Sequence, residues 1–213
     1  MIIMGAGGHA KEVVEVLLGA GIAAGAIALF DDFRPDGNNL FLGTYPILTT
    51  EAALKAHFKT DPAFVPGTGK PALRHALVQR ATALGGTPAN AIAATARIGS
   101  HQVQLGTGLN VMEFTLISDS STVGNGVLLN TGAYIHHDVT VGQYAELSPG
   151  VRCLGGTTIG AFTQIGANAA ILPGVTVGNH VQVGAGAVVT KNLPDHCMAA
   201  GVPAKIIKKL PTT

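Results

Sequence analysis

A six-residue period dominates the second half of the chain. An apolar residue recurs at every sixth position from Leu105 to Val189, and no step of this series falls on a polar residue. An amphipathic α-helix would instead repeat its apolar residues every 3.6 positions. The period predicts a parallel β-helix, in which each hexapeptide forms a short strand and three strands close one triangular coil; about five coils would stack.

A second series of small or β-branched residues precedes the first by two positions, from Val127 to Ala187. Residues two apart on a strand face the same side, so both series are expected to point inward. Glycine often follows the apolar residue, as at Gly124 and Gly142. We expect these glycines to bend the chain with a positive φ, which glycine adopts without a Cβ clash. The polar residues that remain would form the corners.

Composition excludes several classes of protein. The 213 residues carry a formal net charge of +1 without a run of Lys or Arg, so a nucleic-acid partner is not expected. No apolar segment is long enough to span a membrane, and no basic region precedes a short apolar stretch as in a signal peptide. We therefore expect a cytoplasmic protein, in which Cys153 on the inward register is a buried thiol.

The N-terminal stretch has the order of a mononucleotide-binding βαβ unit. A short apolar strand, 1–4, runs into the glycine turn 5–10, a helical pattern, and a second strand, 27–30, that ends in Asp31 and Asp32. Glycines let the backbone approach a phosphate or a sugar, and the acidic pair is placed to bond a ribose, a base edge or a sugar. A tight turn without a ligand is the alternative. Ala10 departs from the dinucleotide fingerprint, so NAD is not assumed.

Further elements complete this first domain. A loop is expected over 33–43, a helix over 50–58, a third strand over 63–65 and a helix over 71–84. The third strand ends in a glycine turn that would place Gly67 on the same edge as Gly7 and Asp31. We predict a Rossmann-like α/β domain over 1–88, a linker around 85–94, and the β-helix with its tail over 95–213.

One corner of the repeat differs from the others. Between inward Ile135 and Val139 lie His136, His137 and Asp138. A histidine beside a carboxylate can act as a general base near neutral pH, although a polar corner that merely contains histidine is the alternative.

The other histidines of the chain differ from those of this corner. His9 lies in the glycine turn. The remaining ones lack a useful acidic neighbour except His196, which follows Asp195 in a tail loop that contains proline, and all of them are interpreted as surface residues. The positions one coil away hold no further histidine, so no metal site is expected. These positions are Ser118, Asp119, Leu154 and Gly155.

Four segments together resemble the bacterial sugar O- and N-acetyltransferases. This family includes the sialic acid O-acetyltransferases and the enzymes that acetylate the 4-amino group of UDP- or GDP-linked dideoxy sugars. The resemblance covers essentially the whole chain, with its parts in the right order and spacing. The segments are 4–11, 30–32, the corner 135–138 with Val141-Gly142 after it, and 201–205.

The resemblance implies a left-handed parallel β-helix, a homotrimer with active sites between neighbouring subunits, and acetyl-CoA as the donor. His137 would be the general base, and Asp138 would increase its basicity. Two further groups of residues follow from the resemblance. The nucleotide sugar would contact Gly7, Gly8, His9, Asp31, Asp32 and Gly67. The CoA side would be lined by Gly155, Ala167, Ala185 and Glu146, the last standing where some relatives carry a second histidine near the acetyl group.

The expected function is acetyl-CoA-dependent N-acetylation of the 4-amino group of a UDP-, GDP- or dTDP-linked amino-deoxy sugar, for surface glycan or glycoprotein synthesis. Transfer would be direct, with no acyl-enzyme. Two alternatives stay open: a sugar O-acetyltransferase, which would use the same base, and a non-catalytic trimeric scaffold that binds nucleotide sugars.

Overall fold

The computed structural model describes residues 1–33 and 39–212. The N-terminal region holds a six-stranded sheet of order β3-β4-β2-β1-β5-β6, which is parallel except for the pair β3 and β4. The strands are β1 (Ile2–Met4), β2 (Ala28–Phe30), β3 (Leu40–Phe41), β4 (Tyr45–Leu48), β5 (Ala63–Pro66) and β6 (Thr87–Pro88). The helices are α1 (Gly8–Gly19), α2 (Glu51–Phe58) and α3 (Pro71–Ala83), with a 3-10 turn at Ala24–Ala26.

This sheet confirms the predicted order of strand, glycine turn, helix and strand. Helix α2 begins after Thr50, whose Oγ1 accepts a hydrogen bond of 3.2 Å from the Ala53 N–H and caps the helix. The expected loop over 33–43 falls partly outside the described residues and contains β3. Parallel strands end at one edge of a sheet, so the turns after β1, β2 and β5 lie side by side.

Short parallel strands form the coil that follows. They are β7 (Ala91–Ile92), β8 (Arg97–Ile98), β9 (Gln104–Leu105), β10 (Asn110–Val111), β11 (Leu116–Ile117), β12 (Thr122–Val123), β13 (Leu128–Leu129), β14 (Tyr134–Ile135), β15 (Thr140–Val141), β16 (Glu146–Leu147), β17 (Arg152–Cys153), β18 (Thr158–Ile159), β19 (Gln164–Ile165), β20 (Ala170–Ile171), β21 (Thr176–Val177), β22 (Gln182–Val183) and β23 (Val188–Val189). A hairpin of β24 (Cys197–Gly201) and β25 (Ala204–Lys209) ends the chain.

The coil has three faces, each a parallel sheet in which every strand pairs with the strand one coil away. We call the face that contains β7, β10, β13, β16, β19 and β22 the docking face, because the N-terminal domain packs on it. The second face runs from β8 to β23 and the third from β9 to β21. The corner between the second and third faces lies opposite the docking face, and we call it the far edge.

The inward series are confirmed by burial. Leu129 in β13 and Val127 just before that strand are both fully buried, and the same holds for Cys153 in β17 and Val151 just before it. Burial raises the pKa of the Cys153 thiol to about 12, which makes it an inert core residue. Apolar side chains stacked coil upon coil thus form one continuous core along the axis.

Glycines after the apolar residue serve a different purpose from the predicted one. Gly124 and Gly142 do not have positive φ; instead, a Cβ there would lie 2.7 Å from the Gln143 nitrogen and 2.6 Å from the Ala161 nitrogen of the next coil. The expectation of a bend with positive φ was therefore wrong, and close approach of the coils is what requires glycine. Positive φ occurs at every sixth residue from Gln102 to Gly186, in the turn before each strand.

Both ends of the coil extend beyond the predicted repeat. Strand β7 lies inside the stretch expected to be a linker and pairs with β10. At the other end β24 pairs in parallel with β22, and β25 adds to it in an antiparallel sense, so the C-terminal segment with Lys205, Lys208 and Lys209 forms a strand. Strands β8 and β9 lie seven residues apart, one more than the period of the repeat.

The N-terminal domain is fixed to the docking face by a buried arginine. Arg74 on α3 has no solvent-exposed surface, and its Nε donates to the Gly126 carbonyl at 2.6 Å. Its other nitrogens donate to the carbonyls of Tyr144 and Ala145, at 2.9 and 3.0 Å, and to the loop carbonyls of 68–69. Burial lowers the pKa of the guanidinium to about 10, so it remains charged at neutral pH.

An aromatic column runs along the corner between the third face and the docking face. The rings of Tyr144, Phe162, His180 and His196 stack with centroids 4.8–5.4 Å apart, and His75 of α3 packs edge-on against the first two. His75, His180 and His196, which the sequence analysis interpreted as surface residues, are therefore part of the packing.

Candidate active site

A cavity of about 590 Å³ lies at the carboxyl ends of β1, β2 and β5. Every residue that the sequence placed at the nucleotide sugar lines this cavity: Gly7, Gly8, His9, Asp31, Asp32 and Gly67. The adjacency follows from the parallel sheet, since the turns after three neighbouring strands meet at one edge.

The glycine turn leaves its backbone open to the cavity. Apart from the adjacent residues and the backbone of α1, no described atom lies within 4 Å of a Cβ built on Gly7 or Gly8. A Cβ on Gly67 would lie 2.6 Å from Ile3 Cγ2 and 2.8 Å from the Gly5 carbonyl. Helix α1 begins at Gly8 with no side chain capping its first N–H groups and no acidic residue in its first turn. Free N–H groups at a helix N-terminus favour an anion such as a phosphate.

The two aspartates after β2 have different surroundings. Asp31 accepts hydrogen bonds of 3.0 Å from the N–H groups of Ala6 and Phe33 and so holds the glycine turn to the rim of the cavity. Asp32 pairs with Arg80, and that hydrogen bond lowers the pKa of its carboxyl group. Of these two aspartates, Asp32 is paired with a cation, whereas Asp31 forms no ion pair with the described residues.

Sequence reasoning missed one wall of the cavity. Leu73, Ala76, Leu77 and Arg80 line it from α3, at the spacing i, i+3, i+4 and i+7 of a single helix face. This spacing was visible in the sequence, but it could only be interpreted once α3 was placed beside the glycine turn. Phe33, with 88% of its surface exposed, stands at the rim.

His9 connects the cavity to the coil. Its Nδ1 bonds Glu12 Oε2 at 3.1 Å, and its Nε2 lies 3.0 Å from Asn110 Nδ2 on the docking face. The same nitrogen lies 2.7 Å from the Pro66 carbonyl oxygen, which can only accept a hydrogen bond. This nitrogen is therefore the NH2 group of the amide and donates to both partners, so His9 Nε2 is an acceptor. Burial lowers the pKa of His9, consistent with a neutral ring.

The predicted base lies on the far edge. His137 Nδ1 bonds Asp138 Oδ2 at 2.7 Å, and both side chains are exposed, at 69% and 63%. Asp138 takes the positive φ of its turn, 60°, a conformation that aspartate tolerates better than most residues. The His137 ring lies over Gly155, where a Cβ would be 2.6 Å from Nε2. In the described part of the chain Nε2 has no hydrogen-bond partner.

Within one chain the predicted residues lie at separate places. Among the described residues, those that line the cavity all belong to the N-terminal domain, and His137 and Gly155 lie on the far edge. Ala167 and Ala185 stack one coil apart at the corner between the docking face and the second face, where the Gly186 N–H donates to the Ala167 carbonyl. A single copy therefore does not bring the base to the cavity.

Glu146 lies on the docking face, close enough to His9 and Arg74 to act on both electrostatically. Its Oε1 accepts a hydrogen bond of 2.8 Å from Ser148 Oγ, and its Oε2 accepts one of 3.3 Å from Gln164 Nε2. Over residues 1–33 and 39–212 no group of three or more His, Cys, Asp or Glu side chains could hold a metal ion. In the same residues no helix has the length and apolar character that crossing a bilayer requires.

Comparison with known proteins places this geometry in a family. Residues 1–81 match the PglD N-terminal domain, and residues 156–191 match the bacterial transferase hexapeptide repeat. The chain is 35% identical to PerB from Caulobacter crescentus, crystallised with CoA and GDP-perosamine; the match covers 97% of this chain and 96% of PerB, with a TM-score of 0.88. The chain belongs to the bacterial sugar acetyltransferases.

Other solved structures extend this family assignment. The acetyltransferase domain of PglB from Neisseria gonorrhoeae is 31% identical over 97% of this chain and 98% of its own length, with a TM-score of 0.86. WeeI from Acinetobacter baumannii, at 23% identity and a TM-score of 0.60, shares the fold. A search of curated protein sequences gave no match. The acetyltransferase fold, with its α/β domain and hexapeptide coil, is thus confirmed.

Proposed function

We propose that this acetyltransferase moves the acetyl group of acetyl-CoA to the 4-amino group of a nucleotide-linked amino sugar, with GDP-perosamine as the first substrate to test. The observation that carries the proposal is the match over nearly the whole chain to PerB, whose structure holds both CoA and GDP-perosamine. A second PerB structure, of a variant with one histidine changed to asparagine, holds the same two molecules.

The cavity suits the nucleotide part of such a substrate. The uncapped start of α1, with open space at Gly7 and Gly8, would receive the diphosphate. Asp31 is placed for a ribose hydroxyl or a base edge, and Phe33 at the rim offers a ring on which a base could stack. Asp32 would act indirectly, since it holds Arg80 in the cavity wall.

His137 and Asp138 would supply the base. With its Nδ1–H donated to Asp138, the ring presents Nε2 as a proton acceptor, and the carboxylate stabilises the imidazolium that forms. The amine nitrogen attacks the thioester carbon, a proton passes from nitrogen to Nε2, and the C–S bond breaks to release CoA. The Gly155 N–H donates to no carbonyl in the described residues, so it is free to stabilise the oxyanion.

The complete site would lie between copies of a homotrimer. The cavity opens beside the docking face, whereas His137 lies on the far edge of the same chain. A neighbouring copy whose far edge faces this cavity would complete the site. Gly155 on one copy and Ala167 and Ala185 on the next would then form the two walls of a CoA groove.

A thiol-release assay tests the reaction. Acetyl-CoA is supplied with GDP-perosamine, with UDP- and dTDP-linked 4-amino sugars, and with their 4-hydroxy counterparts, and the products are identified by mass spectrometry. We expect CoA release and an N-acetyl product with at least one amino sugar, and loss of release in His137→Ala. Release with hydroxyl acceptors alone would make the enzyme an O-acetyltransferase, and no release with any acceptor would favour a binding scaffold.

Complementation tests the shared site. His137→Ala removes the base, and Gly7→Trp fills the cavity, so each variant alone should be inactive. If the base and the cavity of one site belong to different copies, refolding the two variants together restores activity in mixed oligomers. Activity that stays absent in oligomers shown to be mixed would contradict the shared site.

A further inference from the structure

Glu146 lies between two bridges that join the cavity to the coil. On one side Asn110, two strands away on the same face, bonds His9 of the cavity. On the other side Arg74 links the cavity loop at 68–69 to the carbonyl of Ala145, the residue before Glu146. The carboxylate therefore stands on the docking face where the cavity meets the coil.

The negative charge of Glu146 has no cation in contact with it. Its two hydrogen-bond donors, Ser148 and Gln164, are neutral, and none of the ion pairs formed by residues 1–33 and 39–212 includes it. The residue is half-buried. A partly desolvated carboxylate that is oriented by neutral donors favours a cationic partner.

Neighbouring basic groups cannot fill that role by contact. Arg74 lies close enough for Glu146 to raise its pKa, but its N–H groups are directed at main-chain carbonyls. Burial lowers the pKa of His9, and its Nε2 is occupied as the acceptor of a hydrogen bond from Asn110. The place next to Glu146 is thus electrostatically suited to a ligand that carries a positive charge.

We propose that Glu146 receives the amino group of the acceptor sugar and makes the enzyme selective for amines over hydroxyls; this rests on the proposed function. Attack of the amine on the thioester leaves a positive charge on nitrogen before His137 Nε2 removes the proton. A carboxylate facing that nitrogen stabilises the charge, whereas a hydroxyl acceptor gains less from it. Glu146 would therefore act on the acceptor side of the reaction, and not on the CoA side that the family resemblance implied.

The test compares the wild type with Glu146→Gln, which removes the charge and keeps the size. The new amide oxygen can still accept from Gln164, and its NH2 can donate to the Ser148 hydroxyl, which reverses its role. For the amino sugar that the wild type acetylates, kcat/KM should fall by about 10- to 100-fold, the loss typical of a charged hydrogen bond. The KM for acetyl-CoA should stay within about twofold, and binding of the 4-hydroxy nucleotide sugar, measured by calorimetry, should be unchanged. Glu146→Asp should recover part of the activity.

A matched control is Glu15→Gln, the same chemical change at an exposed position of α1, which should behave as the wild type. Unchanged kcat/KM for the amino sugar in Glu146→Gln would overturn the assignment. A raised KM for acetyl-CoA would also overturn it. An equal loss of kcat/KM for amine and hydroxyl acceptors, together with a lowered Tm, would overturn it too and would identify Glu146 as a counter-charge for Arg74. A wild type that acetylates no amino sugar would overturn the proposed function itself.

Discussion

Two histidines in this enzyme are paired with acids in the same way and differ in everything around them. His9 bonds Glu12 through Nδ1 at 3.1 Å, and His137 bonds Asp138 through Nδ1 at 2.7 Å. The His9 side chain is only 11% exposed, and that of His137 is 69% exposed. A histidine beside a carboxylate is therefore not sufficient to identify a base.

The second ring nitrogen separates the two. Nε2 of His9 is occupied by the amide of Asn110, which fixes the ring between the cavity and the docking face. Nε2 of His137 has no partner among the described residues and lies above Gly155. A base needs a free nitrogen that can reach a substrate, so His137 fits that role and His9 fits a positioning role.

Replacing His137 with Gln should have the largest effect on the reaction. Without the imidazole, kcat should fall by about two to four powers of ten, the range for loss of a general base. Because the side chain is exposed, Tm should not change. Steady-state kinetics and thermal unfolding of the same preparation check both statements.

His9→Gln is the matched control for that substitution. It should raise the KM for the nucleotide sugar while leaving kcat within a few-fold of the wild type, since His9 shapes the cavity and does not meet the transferred proton. A kcat loss in His9→Gln as large as that in His137→Gln would contradict the division between the two histidines.

Gly155→Ala should have the next largest effect. Its methyl group would lie 2.5 Å from His137 Cε1 and 2.6 Å from Nε2, so the ring must move. Misplacement of a catalytic group by about 1 Å can cost up to about a hundredfold in rate, and we expect kcat to fall by about 10- to 100-fold.

Gly142→Ala is the comparison for Gly155→Ala. Its methyl group would lie 2.6 Å from the Ala161 nitrogen, against the coil and away from His137. This variant should lower Tm with kcat retained in the folded protein. Equal kcat losses in the two variants would show that coil strain, and not the position of the ring, limits the reaction.

Much of this architecture is predictable because the repeat is strict. The register from Leu105 to Val189 fixes which side chains enter the core, and it isolates His137 and Asp138 as an unusual corner. The role of the glycines was not predictable in this way. The repeat shows where glycine recurs, but whether a Cβ would strike the next coil depends on the distance between coils, which the sequence does not state.

The hydrogen bonds between the two domains could not be predicted from the sequence either. Arg74 looks like an ordinary helix residue, yet it is buried and bonds carbonyls that lie 52 to 71 residues away. Asn110 occupies a position of the repeat that is polar in other coils too, and only the packing of α1 on the docking face brings it to His9. Such bonds depend on how the domains dock, which no local pattern encodes.

Asn110→Ala should have a smaller effect, and on stability more than on chemistry. The Pro66 carbonyl and His9 Nε2 would both lose a buried donor. Leaving such groups unpaired typically costs about 1–3 kcal/mol of unfolding free energy. Denaturant unfolding measures this loss, and kcat for the folded enzyme should stay close to the wild-type value because His137 is untouched. A variant as stable as the wild type would show that water replaces the amide without cost.

The smallest expected effect concerns pH and again separates the two histidines. Burial lowers the pKa of His9 below its ordinary value of 6.5, so below that pH the unfolded chain takes up a proton more readily than the folded one. The stability contributed by neutral His9 is therefore complete above about pH 6.5 and is lost as the pH falls through the folded pKa.

His57, whose pKa burial also lowers, acts in the same direction, so the difference between variants is the useful quantity. Tm measured from pH 7.5 to 5 should fall less steeply in His9→Gln than in the wild type. Parallel curves for His9→Gln and the wild type would mean that His9 is protonated as easily in the folded enzyme as in the unfolded chain, and the contrast with His137 would then rest on the free nitrogen alone.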